Sequence, residues 1–139
     1  MKKHTALALV LALTAVAAPL SAANASEKAK AERAEHYEAQ KPKTAADALS
    51  VLSSNLEPMR ANLKAGELEK IHETSYTLEA ALSVLNKDAN TPARKAALKN
   101  IVGTVDVIHE GSEDGKKAEI EAALTKYAVE LTAVQAAYK

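Results

Sequence analysis

The chain contains no cysteine, no tryptophan and no phenylalanine, and its 3% of aromatic residues are tyrosines alone: Tyr37, Tyr76, Tyr127 and Tyr138. Without thiols there is no disulfide, no lipid-bearing cysteine behind a leader, no covalent c-type haem, no iron–sulfur cluster and no thiol nucleophile. A core of packed side chains must hold the fold unaided. No excess of one charge is present either, with 18 basic and 18 acidic side chains in 139 residues. Such a balance gives no electrostatic reason to bind nucleic acid or an anionic membrane. Catalytic motifs are missing as well: no G-x-S-x-G, no H-E-x-x-H, no phosphate loop, and no serine placed near a histidine by spacing. The expectation is a non-enzymatic protein.

The first residues are different in kind from the rest. Lys2 and Lys3 precede an apolar run from Thr5 to Ala18, followed by Pro19 and the small-residue segment Ala23-Asn24-Ala25. The run covers 14 residues, short of the roughly 20 that a membrane-spanning helix needs. It reads as a secretory signal peptide over residues 1–25, cut after Ala25. Cleavage removes two lysines and no acid, so the exported chain has a small acidic excess. A Glu-, Lys- and Ala-rich arm follows over residues 26–43, without a continuous apolar stripe and closed by Pro42.

Residues 44–139 carry four helical stripes. Thr44 caps the first, with Asp47 three residues on, and Leu49, Leu52, Leu56, Met59 and Leu63 recur at helical spacing to about Lys64. Pro58 lies inside it and predicts a bend near Leu56. Gly66 closes that helix. The second carries Leu68, Ile71, Ser75, Leu78, Leu82 and Leu85 and stops near Asn86. Thr91-Pro92 opens the third, with Leu98, Ile101, Val105 and Ile108, to an expected stop at Gly111. The fourth runs from Lys116 to Lys139 through Ile120, Leu124, Tyr127, Leu131, Val134 and Tyr138. Short connections favour antiparallel neighbours, hence an all-α, up-down-up-down four-helix bundle.

Three histidines survive removal of the leader: His36, His72 and His109. The second helix reads Glu69-Lys70-Ile71-His72-Glu73, and the third ends Asp106-Val107-Ile108-His109-Glu110. At 100° per residue both imidazoles flank the core stripes. Levels counted from the turns place the two rings about 6 Å apart along the bundle axis. They also bring Met59 and Glu121 to the same end. Whether the rings face one another depends on the hand of the bundle, which the spacing leaves open. If they converge, His72, His109, Met59 and Glu121 form a site for Cu or Zn, with Glu69 and Asp106 orienting the imidazoles. If they do not, each histidine is a surface ion pair with the acid three residues before it. Tyr76 and Glu79 continue the flank from His72, the tyrosine resting its ring on the core edge with its hydroxyl in water. His36 precedes the first helix and starts from the other end. A ferritin-like dimetal site would need core-facing glutamates on the other two helices, and Glu57 points away.

The phrases His72-Glu73-Thr74-Ser75-Tyr76-Thr77-Leu78-Glu79 and Val107-Ile108-His109-Glu110-Gly111-Ser112-Glu113, preceded by Glu35-His36-Tyr37, resemble an uncharacterised family of small exported helical proteins from Gram-negative bacteria. That resemblance implies a periplasmic setting and a helical bundle, and supplies no activity. A weaker one is to cytochrome b562, whose haem is held by a Met on the first helix and a His on the last. Here the last helix has no histidine. Haem held by Met59 with His72, or by His72 with His109, ranks below Cu or Zn, because a porphyrin slot needs large apolar walls. The rival expectation is a structural or protein-interaction bundle, stress-related and without metal.

Overall fold

The computed structural model describes residues 41–139, and all regular structure among them is α-helix. The expected leader, its cleavage site, the charged arm up to residue 40 and His36 lie outside the described residues. Five helical segments are present: α1 (Ala45–Ser54), α2 (Leu56–Ala65), α3 (Leu68–Lys87), α4 (Pro92–Glu113) and α5 (Lys117–Ala137). Only Asn55 separates α1 from α2, so together they form one interrupted rod and the fold has four.

The interruption follows from Pro58, whose ring nitrogen has no proton to give the carbonyl four residues back. The helix restarts at Leu56, which brings Pro58 into the first turn of α2, where a missing donor costs little. Carbonyls exposed at the end of α1 find other donors. The Asn55 side-chain amide donates to the Val51 carbonyl at 2.8 Å, and the buried Tyr127 hydroxyl donates to the Leu52 carbonyl at 2.9 Å.

The caps sit where the sequence puts them. Thr44 accepts the Asp47 N–H at 3.1 Å and donates to the Asp47 carboxylate at 2.8 Å. Thr91 accepts the Arg94 N–H at 3.2 Å. Gly66 and Gly115 have φ of 78° and 73°, the left-handed turn that ends a helix, and the next residue closes it each time: Glu67 N–H to Asn62 O at 2.9 Å, and Lys116 N–H to Gly111 O at 2.8 Å. The third rod therefore stops at Gly115. This corrects the expected stop at Gly111, which lies inside α4. Gly111 serves the packing instead, since a Cβ there would stand 2.9 Å from Cγ1 of Ile120 on α5. Its absence lets the two backbones close up.

Consecutive rods pack on one another, and α5 returns against α1 and α2. The α3–α4 pair is antiparallel, since Glu79 meets His109 and His72 meets Glu113. So is α4–α5, where Gly111 near the end of α4 faces Ile120 near the start of α5. The expected stripes form the core: Leu52 and Met59; Ile71, Leu78, Leu82 and Leu85; Leu98, Ile101, Val105 and Ile108; Ile120, Leu124, Tyr127, Leu131 and Val134. Arg94 ties the end away from the histidines. It donates to the Ala137 carbonyl at 3.2 Å and to Asp88 at 3.1 Å, and its guanidinium lies 4.3 Å from the Tyr138 ring centre.

Burial holds the Tyr127 phenol well above its ordinary value of 10.0. Its folded form keeps a proton that the unfolded chain loses, so the stability this group contributes is complete below pH 10 and drains away as pH rises beyond it. Tyr127→Phe removes the buried hydrogen bond and is expected to cost about 1–2 kcal/mol at neutral pH. It should also flatten the alkaline loss. Urea unfolding at pH 7 and above pH 10 checks both; equal alkaline slopes in the two proteins would contradict this account.

Candidate metal centre

One flank of α3 carries His72, Tyr76 and Glu79, at spacings of four and three that stack them along the helix. The last turns of α4 carry His109 and, four residues on, Glu113. Each histidine is followed three residues later by a buried serine whose hydroxyl folds back onto the histidine's own carbonyl: Ser75 to His72 O and Ser112 to His109 O, both at 2.6 Å. Small side chains there keep the core thin beside the rings.

The imidazoles do face one another. Their ring centres are 4.9 Å apart with planes inclined at 60°, and the Tyr76 ring lies 4.9 Å from each. The Glu113 carboxylate sits between the histidines, its Oε1 3.0 Å from Nε2 of His72 and 3.5 Å from Nε2 of His109. His72, His109 and Glu113 each offer a ligand atom within 4.8 Å of the others.

On its other side His109 meets Glu79. Nδ1 donates to Glu79 Oε1 at 2.5 Å. A carboxylate only accepts, so the proton must be on Nδ1, which turns the Nε2 lone pair of neutral His109 towards Glu113. This is the arrangement in which an outer carboxylate fixes the tautomer and raises the basicity of a metal-binding imidazole. Nε2 of His72 is approached by Glu113 and also by the Tyr76 hydroxyl at 3.1 Å. The His109 side chain is 6% exposed and that of Glu113 46%. An ion would thus be held from the protein side and reached from solvent through Glu113. Glu79, Asp106, His109, Glu110 and Glu113 line an open cleft of about 330 Å³; its four carboxylates favour cations.

Glu113, and not Glu121, is the carboxylate grouped with the two histidines. Met59 is fully buried in the apolar core. Glu121 is exposed and lines a separate cleft with Arg60, Lys64 and Lys117. Glu69 is exposed, and Asp106 lines the acidic cleft but makes no bond to either ring among those seen. The carboxylates that reach the imidazoles are Glu79 and Glu113, which corrects the ion pairs expected with the acids three residues earlier. The Tyr76 hydroxyl lies on His72 and not in water. Glu57 is exposed and pairs with Arg60 at 2.6 Å, pointing away as expected. A bis-histidine haem does not fit, because two imidazoles in edge contact leave no gap for a porphyrin between them.

One signal for Glu113 was present in the sequence, its i,i+4 spacing from His109, on a helix that the structure continues through Gly111. Reading the glycine as a stop put Glu113 in a turn.

Neutral His109 is therefore expected as the Nδ1–H tautomer, and Glu79→Ala should redistribute it towards Nε2–H. Imidazole ¹⁵N shifts distinguish the forms; an Nε2–H tautomer in the unmodified protein would refute the assignment.

No curated protein of established function matches the chain, and no solved structure does. A family model covers residues 1–136. The chain belongs to that family, the Family of unknown function (DUF6746).

Proposed function

We propose that this is a small periplasmic protein, an up-down-up-down four-helix bundle without enzymatic activity, that binds a transition metal, Cu or Zn, through His72, His109 and Glu113. One observation carries the reading: the two Nε2 atoms approach a single carboxylate oxygen at 3.0 and 3.5 Å. Four ligands bound at about 2.0–2.2 Å in a tetrahedral shell stand roughly 3.3–3.6 Å from one another, so the spacing is already close to that of a shell. Imidazole nitrogen with one carboxylate suits borderline divalent ions better than calcium or magnesium. Export to the periplasm is supported by the leader over residues 1–25.

Calorimetric titration of the purified chain, cleaved after Ala25, with Cu(II) or Zn(II) tests the reading. One equivalent should bind. His72→Ala with His109→Ala should abolish site binding, and Glu113→Gln should weaken it about 10- to 100-fold. Affinity should fall in acid, because protons compete for the imidazoles. Absent or equally weak binding by the unmodified and double-variant proteins would remove the metal and leave the interaction bundle. Export is checked by fractionating cells that express the whole chain: a periplasmic product beginning at Ser26 is expected, and an uncleaved cytoplasmic one would exclude the localisation.

A further inference from the structure

We propose that Tyr76 is a fourth ligand of this centre, and that the resulting set selects copper(II). The inference rests on the metal reading above and extends it to a residue whose hydroxyl lies on Nε2 of the first histidine. Nε2 of His72 has a single direction in which to bind a proton or a cation. Two oxygens lie within hydrogen-bond distance of it, Glu113 Oε1 at 3.0 Å and the Tyr76 hydroxyl at 3.1 Å. Nε2 of His109 lies 3.5 Å from the same Glu113 oxygen. These three separations are edges of a four-atom figure whose corners are two imidazole nitrogens, a carboxylate oxygen and a phenol oxygen. A square-planar or tetragonal shell, which copper(II) prefers, has neighbouring edges of roughly 2.8 Å for bonds of about 2.0 Å, so small side-chain movements would complete it.

Ring packing supports the same assignment. His72, Tyr76 and His109 form a closed triangle with every pair of centres at 4.9 Å and all planes steeply inclined. Tyr76 is one helical turn beyond His72 on α3, so its oxygen is carried by the same rigid element that carries the first imidazole. Ligands on one helix at this spacing need little ordering when an ion arrives.

The donor set then decides the ion. On binding, the Tyr76 O–H bond breaks, its proton leaves to solvent, and the oxygen electron pair forms the bond to the cation. Nothing is oxidised or reduced. A phenol yields its proton at neutral pH only to a strongly polarising cation. Among divalent first-row ions, nitrogen and oxygen sites bind copper most tightly. Zinc is expected to be held by the histidines and Glu113 alone.

The test is absorption spectroscopy of the purified exported chain with copper(II) or zinc(II), on the unmodified protein, Tyr76→Phe and Tyr37→Phe. Copper should give an intense phenolate-to-copper band in the unmodified protein and in Tyr37→Phe. Tyr76→Phe should lose the band while still binding copper, at least about tenfold more weakly, and should bind zinc unchanged. Copper binding without the band, or a band that survives Tyr76→Phe, overturns the proposal and leaves the three-residue metal reading intact. No binding of either ion to any of the three proteins overturns both.

Discussion

Side chains on a helix lean towards its N-terminus. When two helices run in opposite directions the leans add, and each side chain meets a partner further along the neighbouring chain than the backbone level suggests. In the α3–α4 pair this lean, about one position on each helix, adds to a register that is itself shifted further along the neighbouring chain. His109 meets Glu79, and His72 meets Glu113, each partner further along the neighbouring chain than a level counted from the turn would put it. Every contact between the two rods in the candidate centre depends on their register and on the direction in which their side chains lean.

Two helix ends and one close approach between helices hold the site in place. Thr91 starts α4 and Gly115 stops it, so the last turn reaches Glu113. Gly111 lets that turn press against Ile120 of α5. Glu113 thereby stays helical, one turn from His109 and on the same face. At the other end of the bundle, Arg94 joins the α3–α4 turn to the end of α5. The interrupted first rod supplies Leu52 and Met59 to the core, and Tyr127 reaches across to the carbonyl that its break exposes.

Placing imidazoles and carboxylates at the rim of an apolar core carries a desolvation cost unless each polar group has a partner. Here the partners are one another. Glu79 fixes Nδ1 of His109, Glu113 approaches both Nε2 atoms, and Tyr76 lies on His72. A divalent ion at the meeting point would neutralise the carboxylate and satisfy both lone pairs. Without an ion, Glu113 is hydrogen-bonded to Nε2 of His72 and Glu79 to Nδ1 of His109.

Local sequence was enough for the four rods, the Thr44 and Thr91 caps, the break caused by Pro58 and nearly the whole core, since helical spacing and capping chemistry act within a few residues. It also placed both histidines on core flanks. Gly111 misled because a glycine that ends a helix and one that admits a neighbouring helix look alike until the neighbour is known. Which way the rings face, which carboxylates reach them, and that Glu121 lines a separate cleft were decided only by tertiary structure. Those relations join residues 30 to 41 positions apart, and they depend on the hand of the bundle, the register of its rods and the lean of its side chains, none of which is written in the spacing along one helix.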